Sequence, residues 1–149
     1  MTRIALASDH AGFALKTELA AWLRETGHDV LDLGTTSEAS VDYPEYGAKL
    51  ARAIASGDAT RGIAVCGSGI GISIAVNRNA KCRCARVDDP LSARLSREHN
   101  DANVLALGGR LIGGDMARAC VTAFLGTDFA GGRHQRRVDE LSTLLEDSD

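Results

Sequence analysis

Gly62-Ile-Ala-Val-Cys-Gly-Ser-Gly-Ile-Gly-Ile-Ser-Ile-Ala-Val76 decides the fold. Its first five residues are almost continuously apolar, as in a strand buried on both faces, and the stretch beyond Gly71 is apolar enough for a buried helix. Between them, Gly67, Gly69 and Gly71 let the main chain turn tightly and approach a ligand. A helix that starts here aims free N–H groups and its positive end at the turn, which makes an anion site. The same turn would also serve as a plain strand-to-helix connection, because a bare glycine cluster is a weak motif.

Upstream, Ile4–Ala7 reads as a strand, and Phe13–Thr26 as a helix with Leu15, Leu19 and Leu23 at helical spacing, stopped by Gly27. Val30–Leu33 is a second strand. A loop ending in Asp42-Tyr43-Pro44 then leads to a helix through Tyr46, Leu50 and Ile54 to Gly57. Downstream, Cys82–Val87 alternates like a strand, Pro90 opens a helix to about His99, and Val104–Leu107 is the last strand. Met116–Leu125 and Gln135–Leu145 read as helices. Val138, Leu141, Leu144 and Leu145 share one face of the latter, so it should dock on something, and Glu146–Asp149 is expected to be disordered. The pattern implies an α/β fold: a three-layer, doubly wound (Rossmann-like), five-stranded parallel sheet with helices on both faces and a C-terminal helix. One domain is expected over residues 1–149.

With 149 residues, 44% hydrophobic and 25% charged, the chain has the composition of an ordinary globular domain. A net charge of -3 and 4% aromatic residues argue against a nucleic-acid partner. The apolar run before Ser8 is too short for a signal peptide or a membrane span. Cys66, Cys82, Cys84 and Cys120 form no Cys-x-x-Cys pair, so reduced thiols in a cytoplasm are the default. Cys82 and Cys84 read as two small buried side chains on one face of a strand, and no metal site is expected.

The polar residues that stand out follow strands: Ser8-Asp9-His10, then Cys66 to Gly71, then Gly108-Gly109-Arg110. Ligands in such sheets bind beyond the carboxyl ends of the strands. His99, Asn100, Asp101 and Asn103 precede the last strand instead, and so could serve a neighbouring site. Cys66 stands immediately before the free amides, where a helix end stabilises a thiolate and makes it a base or nucleophile; the bland alternative is an inert buried cysteine. A dinucleotide site would need glycine at Ile72 and would follow the first strand, and a P-loop would need Gly-Lys-Ser/Thr. A Cys-x5-Arg phosphatase would need arginine at Ile72. Arg133 and Arg137, four residues apart in a basic cluster, suit phosphate oxygens, although a solvated face pairing with Asp139 and Glu140 would look the same. Gly131-Gly132 points to close backbone approach there.

Taken in order, Ser-Asp-His-Ala-Gly at 8–12, Asp-Tyr-Pro at 42–44, Cys-Gly-Ser-Gly-Ile-Gly-Ile-Ser-Ile-Ala at 66–75, Ser-Arg-Glu-His-Asn-Asp at 96–101 and Gly-Gly-Arg-His-Gln-x-Arg-Val at 131–138 resemble the type B ribose-5-phosphate isomerases. That family includes the galactose- and allose-6-phosphate isomerases, and the resemblance spans nearly the whole chain. It implies an enzyme without cofactor or metal that interconverts ribose 5-phosphate and ribulose 5-phosphate. A 6-phosphohexose isomerase and a non-catalytic sugar-phosphate-binding protein stand as alternatives. Cys66 would then be the base that moves a proton between C1 and C2, with Ser68 close by, the amides of Gly67, Gly69, Ile70 and Gly71 around the enediolate, and His99 opening the furanose ring. His10, Arg133 and Arg137 would hold the phosphate, with Asp9, Tyr43, Asn100, Arg110 and His134 on sugar or phosphate. The resemblance further implies a homodimer with shared sites, in which the partner supplies His99, Asn100 and Arg110; a tetramer of such chains stands as the alternative assembly. Serine stands at 68 where many relatives have threonine, which keeps the hydroxyl, and Ile72 stands where another branch has a carboxylate.

Overall fold

Strands with no polar face alternate with one-sided helices, and the chain resolves that pattern by layering. In the computed structural model, which describes residues 3–144, the elements run β1 (Arg3–Ser8), α1 (Phe13–Glu25), β2 (Asp29–Asp32), α2 (Tyr43–Ser56), β3 (Arg61–Cys66), α3 (Ile70–Asn77), β4 (Cys84–Arg86), α4 (Pro90–Asn100), β5 (Val104–Gly108), α5 (Gly114–Leu125) and α6 (Arg133–Leu144). The five strands form one sheet in the order β2-β1-β3-β5-β4, and every pairing is parallel. The expected doubly wound sheet is therefore the observed one.

Alternate strand residues serve two cores. On one face, Ile4, Leu6, Ile63, Val65, Leu105 and Leu107 pack beneath Leu15, Leu19 and Leu23 of α1, Ala93 of α4, and Val121 and Phe124 of α5. On the other, Ala5, Ala7, Ala64, Cys66 and Ala106 meet Leu50 of α2 and Ile72 and Val76 of α3. Each such leucine or isoleucine withdrawn from water contributes about 2 kcal/mol. Small residues line the second face of β1, β3 and β5, which lets α2 and α3 lie close to the sheet.

Some boundaries differ from expectation. The fourth strand is Cys84–Arg86 rather than Cys82–Val87, because Asn77 clasps the chain: its Oδ1 accepts the Cys84 N–H at 2.8 Å and its Nδ2 donates to the Cys84 carbonyl at 2.9 Å. Cys82 is thus buried in the preceding turn, and Cys84 is only half-buried. Tyr43, expected in a loop, is the first residue of α2, with Pro44 inside its first turn. In α6, Val138 is buried but Leu141 is about half exposed, so the helix docks along a narrower line than the apolar spacing implied. The side chain of Leu144, together with Leu145 and the tail Glu146–Asp149, lies outside the described residues. Among the described residues, no helix is long and apolar enough to cross a membrane.

Candidate active site

β1 and β3 are neighbours, yet the helices that follow them, α1 and α3, cover opposite faces of the sheet. Their connecting loops diverge, and a crevice opens at the carboxyl ends, where such folds bind ligands. A cleft of about 550 Å³ occupies it, lined by Asp9, His10, Ala11, Tyr43, Cys66, Gly67, Ser68, Ile70, Gly71, Arg110 and Leu111. Ten of the fifteen residues anticipated for the site come together here: Asp9, His10, Tyr43, Cys66, Gly67, Ser68, Ile70, Gly71 and Arg110 line the cleft, and Gly69 lies between its lining residues.

Close backbone approach builds this cleft. Gly69 has φ +77°, and a Cβ there would lie 2.8 Å from the Leu107 carbonyl carbon; one on Gly108 would lie 2.8 Å from the Ser68 carbonyl. The loop after β3 is therefore pressed onto the end of β5, and its path admits no side chain at either point. Gly109 N–H donates to the Cys66 carbonyl at 2.8 Å and Arg110 N–H to the Gly67 carbonyl at 3.0 Å, fastening the two loops edge to edge. This fastening carries the Arg110 side chain over Gly67 of its own chain, so the expectation that a partner supplies Arg110 is corrected.

Cys66 is 4% exposed, but what little of it is open faces the cleft. The Gly69 N–H points at its Sγ from 3.2 Å, so negative charge on sulfur meets a donor. The Ile70 N–H donates to Ser68 Oγ at 3.1 Å. Two of the amides expected in the anion cradle thus face side chains of the loop itself. Those of Gly67, Ser68 and Gly71 have no acceptor among the described residues. The Tyr43 ring lies over Gly71, where a Cβ would come within 2.7 Å of it. The other thiols are poor rivals as bases: burial pushes Cys120 up to about 11, and it also raises Cys82 and Cys84.

At the β1 end, Asp9 Oδ1 accepts the Gly12 N–H at 3.0 Å, which holds the buried carboxylate at the start of α1. His10 Nδ1 lies 3.1 Å from both the nitrogen and the oxygen of Val41, leaving Nε2 for a ligand. Neither Val41 nor the pairing of the buried Lys16 with Asp32 beneath this corner was anticipated. Lys16 Nζ contacts both Asp32 oxygens, at 2.7 and 2.9 Å, and Asp32 also accepts the Gly34 N–H. Gly34 and Thr35 in turn pair with the Ser8 backbone. No periodicity marks a buried lysine, so only packing could expose it.

The remaining anticipated residues lie elsewhere. α4 leaves the carboxyl end of β4 and runs back to the amino end of β5, so His99 and Asn100, its last residues, sit at the opposite end of the sheet from Cys66. α6 packs on α4, and the His99 and His134 rings stack with centroids 4.5 Å apart at 18°. Partial burial, then the charges of His99, Arg133 and Arg137, hold His134 below the ordinary imidazole value. Arg136 pairs with Glu140 and Gln135 with Asp139, which leaves Arg133 and Arg137 without a carboxylate among the described residues. Gly131 and Gly132 both have positive φ, yet a Cβ on either would meet nothing within 4 Å. Within the chain they turn the backbone into α6, and no neighbouring segment of the same chain approaches them.

Comparison with known proteins gives this arrangement a context. Residues 4–141 match the family model described as Ribose/Galactose Isomerase. The sequence is 47% identical over 144 residues to ribose-5-phosphate isomerase B of Escherichia coli, covering 97% of each chain. Among solved structures, ribose-5-phosphate isomerase B of Clostridium thermocellum superimposes with a TM-score of 0.97 at 46% identity, over 99% of both chains. That of Mycoplasma genitalium with bound ribulose 5-phosphate gives 0.92 at 34% identity, covering 98% of this chain and 97% of the other.

Proposed function

The chain belongs to the ribose/galactose isomerase family, and from that premise we propose that it interconverts ribose 5-phosphate and ribulose 5-phosphate. The observation that carries the reading is a sulfur and a set of main-chain donors opening into one cleft. The Cys66 thiolate takes the C2 proton of the open-chain aldose. The C2–H electron pair forms the C1=C2 bond, and charge collects on the C1 oxygen. Each amide aimed at that oxygen lowers the barrier by about 3 kcal/mol. The hydroxyl proton on O2 passes to O1, and the Cys66 thiol returns its proton to C1 as the O2 electron pair forms the carbonyl at C2. Proton transfer inside one molecule consumes no co-reactant. A pentose is preferred over a 6-phosphohexose because the relatives above act on ribose 5-phosphate or hold its ketose.

The split between the cleft and the α4–α6 group supports a homodimer, in which a second copy brings His99 and Asn100 to the cleft. His99 then opens the furanose ring, and its imidazole suits proton transfer near neutral pH. His10, Arg133 and Arg137 hold the phosphate, while Asp9, Tyr43, Asn100, Arg110 and His134 contact sugar or phosphate. Pairs of such dimers form a tetramer in this reading, and the protein works in the cytoplasm, where its thiols stay reduced.

In heavy water, the purified protein incubated with ribulose 5-phosphate is expected to yield ribose 5-phosphate carrying deuterium at C2, detected by proton NMR. Ribose 5-phosphate formed with no deuterium, or calorimetric binding of sugar phosphates without turnover, would refute proton transfer through an exchangeable base.

A further inference from the structure

Arg86 ends β4 and does not line the cleft, yet its guanidinium is joined to the sulfur through a single peptide unit. Its Nε donates to the Ser68 carbonyl at 3.0 Å. The N–H on the other side of that same amide belongs to Gly69 and points at Cys66 Sγ from 3.2 Å. The amide is held in its plane by the close approach of its carbonyl to Gly108 and of Gly69 to the Leu107 carbonyl, where any Cβ would collide. Gly108 also lets Arg86 reach across β5, because a side chain there would fill the space that the Ser68 carbonyl occupies. Arg86 is three-quarters buried, and its outer edge is paired with the carboxylate of Asp88 at 2.6 Å, which fixes the guanidinium from the solvent side.

We infer that Arg86 is a positioning residue for Cys66: it grips the Ser68–Gly69 peptide from behind, aims the Gly69 N–H at the sulfur, and polarises that N–H with its charge. Hydrogen bonds in a chain strengthen one another, and a charged donor at one end increases the effect. The charge of Arg86 thus reaches the thiolate without occupying the space that the substrate needs. The group that most opposes it is Asp88, whose carboxylate partly neutralises the guanidinium.

This inference rests on Cys66 being the base, but it can be tested without turnover. Iodoacetamide labelling of the Cys66 peptide, followed by mass spectrometry across a pH series, reports the thiolate directly and separates it from the other three cysteines. Arg86→Met is expected to slow labelling at neutral pH by about three- to tenfold, from the loss of the charge that orients and polarises the Gly69 N–H at the sulfur. It should also displace the acidic limb of the kcat/KM profile to higher pH while leaving KM nearly unchanged. Arg86→Lys, which keeps charge and one donor, should recover most of the labelling rate. Asp88→Asn alters only the solvent side and should fold normally; freeing the guanidinium charge, it is expected to speed labelling by about twofold. Wild-type labelling profiles in Arg86→Met, or in Asp88→Asn if the first variant does not fold, would overturn the inference. Full turnover in Cys66→Ala would instead overturn the base assignment and leave the labelling result to stand on its own.

Discussion

The cleft at the carboxyl ends of β1, β3 and β5 and the α4–α6 group at the other end of the sheet are built on different principles. The cleft is fixed by backbone: loops are pressed together at Gly69 and Gly108, and hydrogen bonds fasten Cys66 and Gly67 to Gly109 and Arg110. The α4–α6 group is fixed by side chains at a helix–helix surface, with His99 stacked on His134 and the guanidiniums of Arg133 and Arg137 on an exposed face. The backbone frame of the cleft is complete within its own chain, although the lining lacks His99 and Asn100. On the α4–α6 surface, Arg133 and Arg137 have no carboxylate among the described residues, so their charge is free to meet a group of opposite sign.

The strongest way to break this comparison is to inactivate each half in a different chain. Cys66→Ala and His99→Ala homodimers are each expected to lose at least about 100-fold in kcat, as for the removal of a general acid or base. Co-refolding them together should restore about a quarter of wild-type activity, because half the dimers are hybrids and each hybrid has one intact site of two. Mixtures no more active than their parents would show that Cys66 and His99 do not share a site across two chains.

Lys16 sharpens the cleft side. With its side chain 2% exposed and that of Asp32 30% exposed, Lys16→Met leaves the carboxylate with only the Gly34 N–H. Because Asp32 keeps contact with water, the expected loss is about 2 kcal/mol by urea unfolding, less than the cost of breaking a fully buried pair. A loss of stability with KM intact would mark this corner as scaffold, whereas a collapse of substrate affinity would tie it to the site.

The smallest effect belongs to His134. Its folded imidazole binds a proton less readily than the unfolded one, whose ordinary value is 6.5. Between those two values the unfolded chain holds more protons, so stability rises with pH. It is complete above the unfolded value and declines as pH falls through the folded one. His134→Gln should flatten this part of the urea-midpoint profile. An unaltered slope would place its origin in another group.

Legibility in the sequence followed the range of the interactions. The strands, most helices, the glycine turn and Cys66 at its edge were readable because strand burial, helical periodicity and turn chemistry are written in neighbouring residues. The start of the fourth strand was misjudged because the Asn77 side chain, seven residues away, decides it. The glycines at 131 and 132 show how little one letter records, since positive φ, which both adopt, and close approach call for the same residue. Arg86, Lys16 and Val41 carried no signal, as each acts through a partner on another element.

Local composition and spacing therefore suffice for the class of fold, the order of its elements and the chemistry at the strand ends, because those depend on contacts within a few residues. The strand order β2-β1-β3-β5-β4, the crevice it opens between β1 and β3, and the separation of His99 from Cys66 come from long-range packing of two hydrophobic faces. No short window of sequence records that packing, since its free energy is released only when distant segments leave water together.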